Sequence, residues 1–149
     1  MYKLILLSFI TIASCGTPKN TADAVANPTS QTTAELKNQT IILALGEHVM
    51  LGSLKVHFKE VMEDSRCPTG TNCFWQGRAK LLVETSEDEM TVESNELIFG
   101  KLKPGETNNH TFYQSGKTTL IATAINPYPT SETGTAALDY KLVIDVVIK

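Results

Sequence analysis

The residues best suited to chemistry gather in one stretch, Asp64-Ser65-Arg66-Cys67-Pro68-Thr69-Gly70-Thr71-Asn72-Cys73-Phe74-Trp75-Gln76-Gly77, which holds two of the three cysteines and the only tryptophan. Pro68 fixes φ, Gly70 permits positive φ, and Asn72 tolerates the left-handed region, so the chain between the thiols can turn back on itself. The expected product is a Cys67–Cys73 disulfide, worth on the order of 2 kcal/mol for so small a loop. Two metal ligands or two free thiols are the other uses of such a pair. Structural zinc generally needs four Cys or His ligands at tighter spacing. The spacing also lacks the C-x-x-C form that lowers a thiol pKa at a helix start. Trp75 is expected to be a core residue packed on the disulfide; its other use is a ligand-stacking or partner-binding aromatic. An Asp64–Arg66 ion pair should brace the loop, and Gly77 suits a bulge or a close backbone approach before the next strand.

Elsewhere the chemistry thins out. His48, His57 and His110 are far apart in sequence and read as surface or turn histidines. There is no G-x-S-x-G elbow and no S-x-x-K. Glu60, Glu63 and Asp64 could in principle meet Ca²⁺, but bracing the loop is the expected role. Glu87-Asp88-Glu89 reads as a solvated hairpin tip. No phosphate-cradling glycine loop appears. No catalytic residue, metal ligand or cofactor is expected, and the chain reads as a non-enzyme.

The run Asp64-Ser65-Arg66-Cys67-Pro68, four residues, then Cys73-x-Trp75-x-Gly77, resembles a motif of small lipoproteins and secreted proteins of Bacteroidetes-type bacteria. Asn126-Pro127-Tyr128-Pro129 ahead of a terminal strand is similar to that group as well. The resemblance implies an exported β domain and carries no reaction with it.

The N-terminus supplies an address. Met1-Tyr2-Lys3 precedes an apolar run over residues 4–13, too short to span a bilayer and suited to a signal peptide. Ile12-Ala13-Ser14-Cys15 resembles the bacterial lipobox, which implies cleavage after residue 14 and lipidation of Cys15. That leaves Cys67 and Cys73 as a pair, in a compartment where a disulfide persists. Residues 15–38 then form a polar tether with too few large apolar groups to build a core, reaching about 25–30 Å as a flexible coil. Gly16 in place of Asp resembles an outer-membrane passenger. The expected location is extracytoplasmic and membrane-anchored, on the outer membrane's periplasmic or surface face.

Positioning these residues falls to residues 39–149, enough for one core. The formal net charge of −3 becomes one more negative when Lys3 leaves with the signal. A mildly acidic domain has no electrostatic reason to bind nucleic acid. Period-two patterning dominates: Tyr140, Leu142, Ile144, Val146 and Ile148 share one face, as do Leu54, Val56 and Phe58. Val61 breaks that second phase, which predicts a bulge near Lys59 and Glu60. Further strands are expected at 41–45, 49–51, 79–84, 97–99, 111–113 and 118–125, with a short one through Met90 and Val92. Gln114-Ser115-Gly116-Lys117 should be a hairpin turn. The pattern predicts an all-β fold, an antiparallel immunoglobulin-like β-sandwich of about eight strands; the alternative is a closed lipocalin-like barrel. Residues 127–138 form a long connection opening on Pro-Tyr-Pro, where one X-Pro bond could be cis. It is read as a crossover between sheets or as a recognition loop presenting Tyr128.

These observations favour a non-catalytic binding or structural module held to the membrane by lipid. It would meet another envelope protein or a ligand through its loops, with Trp75, Tyr128 and Arg66 as candidate contact residues. The alternative is a protease-inhibitor-like protein using the loop 67–73, since a disulfide-braced loop binds at a reduced entropy cost.

Overall fold

The computed structural model describes residues 37–88, 90–136 and 138–149, together with the strand position of residues 33 and 34. The signal, the lipobox with Cys15 and most of the tether lie outside the described residues. Among those described there is no helix, and none that could cross a membrane. The strands are β1 (Thr33–Ala34), β2 (Gln39–Ala44), β3 (His48–Leu51), β4 (Leu54–Asp64), β5 (Arg78–Ser86), β6 (Glu93–Gly100), β7 (Thr111–Ser115), β8 (Thr118–Asn126) and β9 (Lys141–Ile148).

Two sheets form, in the orders β1-β3-β4-β5-β6 and β2-β9-β8-β7. Every pairing is antiparallel except that of the two-residue β1, which lies parallel to β3. No strand of one sheet pairs with a strand of the other among the described residues, so the fold is an open sandwich and the barrel alternative is excluded. The chain changes sheet three times, between β1 and β2, at the turn between β2 and β3, and along the loop between β6 and β7.

The inner faces follow the expected alternation. Leu54, Val56 and Phe58 of β4, Ala79, Leu81 and Val83 of β5, Leu120 and Ala122 of β8, and Leu142, Ile144 and Val146 of β9 make the core. Burying a side chain of this kind contributes about 1.5–3 kcal/mol. The phase break in β4 is a bulge: the register slips between Phe58 and Glu60, and again between Val61 and Glu63. Two more slips follow, between Thr111 and Tyr113 and between Ala122 and Ala124, the last of which returns Ile125 to the core. The β7–β8 hairpin turns on Gly116, at φ +55°, as the sequence suggested. One expected strand does not form. Met90 and Val92 form no strand; they are exposed in the β5–β6 hairpin loop, and pairing resumes at Glu93. The Asp88 carboxylate accepts the backbone N–H groups of Met90 and Thr91, and such local bonds compete with a strand ladder.

The sandwich has two poles. Gln39 pairs with Val146, and Thr118 with Ile148, so the chain enters beside the β7–β8 turn. Ala44 and Asn126 both pair with Lys141 at the other pole, where Asp64 pairs with Ala79 and Arg78 with Gly100. The cysteine loop and the Pro-Tyr-Pro loop therefore share the pole far from the point where the chain enters.

Candidate binding surface at the far pole

Cys67 and Cys73 are bonded, with their Cα atoms 6.0 Å apart. Within the loop, the Thr71 hydroxyl donates to the Pro68 carbonyl at 2.6 Å, and Gly70 takes φ +83°. The loop does not stand alone. Thr69 N–H donates to Pro129 O at 2.9 Å and Ser131 N–H to Thr69 O at 3.0 Å, a parallel bridge that zips residues 67–73 to residues 127–131. The Asn126–Pro127 bond that opens the second loop is cis.

Beneath both loops lies a polar network that ties the sheets together. Arg66 is 5% exposed. Its Nε and Nη2 donate to the two Asp64 carboxylate oxygens at 2.9 and 2.6 Å. Nη1 donates to Ile125 O and Nη2 also to Pro127 O, both at 3.1 Å. The Tyr140 hydroxyl donates to Asp64 at 2.9 Å and contacts Thr135 O at 3.1 Å. Burial pushes the Asp64 carboxyl up, but the hydrogen bonds from Arg66 and Tyr140 outweigh it, and the net shift is downward. Burial and the facing carboxylate push the Tyr140 phenol up to about 12. The expected Asp64–Arg66 brace is present and does more than brace one loop: it clamps the end of β4 to the end of β8. Four of the five guanidinium N–H bonds are committed within the fold. What Arg66 supports outward is the Tyr128 ring, whose centroid lies 5.1 Å from the guanidinium carbon.

A second network fixes the neighbouring strand ends. Buried Arg78 donates to Glu63 at 3.1 and 2.7 Å and also to Glu106, whose carboxylate accepts the Lys103 N–H at 2.7 Å. Hydrogen bonding to Arg78, helped by Ser65, holds the Glu63 carboxyl at about 2 instead of its ordinary 4.5, and Glu106 is shifted in the same direction. The folded state thus binds these protons less readily than the unfolded chain. Their stabilisation is complete above the ordinary carboxylate pKa and is lost as pH falls through the depressed value. Melting temperature is expected to drop steadily between about pH 5 and about pH 2, and Glu63→Gln should flatten that slope. An unchanged slope in the variant would show that Glu63 is not a source of the acid sensitivity.

Above this framework the aromatic residues are displayed. Phe74 is fully exposed, and Trp75 and Tyr128 are each 48% exposed. The expectation of a core indole on the disulfide is overturned. The loop it follows lies on the surface, and the space beneath the pole is filled by Arg66, Asp64 and Tyr140. Beside Tyr128 runs a groove of 530 Å³, lined by Gln76, Gly77, Phe99, Ile125 and Asn126 among others.

The histidines are not all solitary. His48 and His57 sit opposite one another on β3 and β4, and His57 Nδ1 lies 3.4 Å from Glu84. His110 stacks on Phe99, centroids 4.4 Å apart, and its Nε2 lies 2.8 Å from Ile98 O. Register places the first pair, which spacing along the chain could not reveal. Among the described residues no group of three or more His, Cys, Asp or Glu side chains could hold a metal ion. No family model, no curated protein and no solved structure matches this chain.

Proposed function

We propose that this protein is a lipid-anchored, extracytoplasmic binding module without catalytic activity, and that its far pole is the surface that meets an envelope partner. The observation that carries the reading is the placement of Phe74, Trp75 and Tyr128. All three are exposed, on two loops joined by a backbone bridge and pinned from below by Arg66. Rigid, amphipathic aromatics of this kind dominate binding energy at protein interfaces. The described chain begins at the opposite pole, so a lipid on Cys15 would leave the aromatic pole facing away from its attachment. Gly16 after the lipobox cysteine, where an Asp would favour the inner membrane, supports an outer-membrane address on the periplasmic or surface face. Mass spectrometry of the mature N-terminus should find a diacylglyceryl group on Cys15.

The test is affinity capture of the full chain from its own membranes, comparing the native sequence with a Phe74→Ala/Trp75→Ala double variant. The account expects one stoichiometric partner, lost in the variant, with the melting temperature unchanged because neither side chain supports the core. Equal capture by both would remove the aromatic pole as the interface. A second reading rests on the loop 67–73 itself, which the disulfide, the Thr71–Pro68 turn and the Thr69–Pro129 bond preorganise for insertion into a protease cleft. Recovery of an active protease in the capture would favour it.

A further inference from the structure

At the near pole, a cleft of 680 Å³ opens between the sheets where β5 and the β5–β6 hairpin face β7. That volume lies within the range of small-molecule sites. Its floor holds Leu54 and Phe112, both buried, and Thr85. Thr85 continues the inward series Ala79, Leu81, Val83 and is 2% exposed, a hydroxyl where the pattern calls for a methyl. Its Oγ1 has no hydrogen-bond partner. The buried Nδ2 of Asn95, which pairs with Val83, also lacks a partner, but Asn95 does not line the cleft. Buried polar atoms without partners are uncommon and call for a ligand or water to complete them.

The rim has one sign of charge. Glu87, Asp88 and Glu93 line the cleft, and among the described residues no Lys, Arg or His does. Asp88 is committed to the amides of its own loop, and Glu87 accepts the Tyr113 hydroxyl, which leaves Glu87 and Glu93 as the charges facing the opening. Among the described residues, no set of three or more ligating side chains could hold a metal ion. A polar wall over a small apolar floor of Leu54 and Phe112, an unpartnered hydroxyl and surplus carboxylates together suit a small organic cation with a short hydrocarbon part.

We propose that this cleft binds a small ligand bearing a primary ammonium group on an alkyl chain, with Thr85 Oγ1 accepting from the ammonium and Glu87 and Glu93 balancing its charge. This site is separate from the aromatic pole and stands whether or not that pole binds a protein. The experiment is calorimetric titration of the full chain in non-ionic detergent at low salt, with 1,5-diaminopentane as the probe and 1,5-pentanediol as its neutral counterpart. One saturable diamine site and no diol binding are expected. A Glu87→Gln/Glu93→Gln variant should lose affinity by about tenfold or more, as loss of charged hydrogen-bond acceptors implies. Thr85→Val should also bind the diamine more weakly, yet melt at the same or a higher temperature, because it removes a buried hydroxyl that the empty protein leaves unpaired. The proposal is overturned by absent or non-saturable binding, by equal binding of the diol, or by unchanged affinity in either variant. It is equally overturned by a lower melting temperature in Thr85→Val, which would show that the hydroxyl serves the fold.

Discussion

Gly77→Ala is expected to destabilise the protein by about 3–5 kcal/mol, enough to unfold much of it at physiological temperature. Gly77 sits at φ +69°, and a Cβ there would lie 1.7 Å from Ser65 O and 2.4 Å from Ser65 C. Those atoms are backbone and cannot rotate away. They are held against Gly77 by Ser65 N–H to Arg78 O at 2.8 Å and Cys67 N–H to Gln76 O at 3.0 Å. Gly100, at φ +117°, repeats the arrangement one strand further on, its missing Cβ lying 2.7 Å from Gly77 O. Three chain segments therefore approach more closely than side chains permit, and this closeness lets the two arginine networks span the pole. Gly105→Ala is the control: its φ is +88° but nothing lies within 4 Å. It should cost only the local conformational term of about 1–2 kcal/mol. Denaturant melts of both variants settle the comparison, and similar losses would mean that φ alone, not the close approach, decides.

Arg66→Met is the second large effect, expected at about 3–5 kcal/mol. The loss is larger than one ion pair because truncation strands the Asp64 carboxylate, 4% exposed, and frees the carbonyls of Ile125 and Pro127. Arg66→Lys should recover little, since an ammonium cannot reproduce the planar fork that holds a carboxylate and two carbonyls together. Removing both charges with Arg66→Met/Asp64→Leu should be milder than Arg66→Met alone, because no buried charge is then left unpaired. Tyr140→Phe, which deletes one hydrogen bond to Asp64, should cost about 1–2 kcal/mol. Equal losses for the single and double variants would remove the argument from an orphaned carboxylate.

Much of this architecture was legible in the residues. Strict alternation in β9 and β4 announced a half-buried sheet, and the misplaced Val61 announced the bulge, because a one-residue slip reverses every side chain that follows. The cysteine spacing and the Asp64–Arg66 proximity were local properties and held. What stayed hidden was non-local. Nothing in the sequence places Thr69 beside Pro129, or sends the Arg66 guanidinium to carbonyls some sixty positions away. Trp75 was misplaced for a related reason. A tryptophan beside a disulfide suggests a core, and only the buried arginine network explains why the space beneath is already occupied. The Met90–Val92 pair mimicked a strand over too few residues to outweigh the Asp88 turn. Thr85 was readable as the polar exception in an inward series, but the cleft that gives it meaning is made by β7 of the other sheet.

Site-specific photo-crosslinking on native membranes tests the far-pole claim most directly. The crosslinker p-benzoylphenylalanine is placed at position 74 or 128, and at exposed position 92 at the near pole as the control. The account predicts one discrete heavier adduct from 74 and from 128, and none from 92. Adducts from 92 with none from 74 or 128 would contradict it and move the interface to the opposite pole.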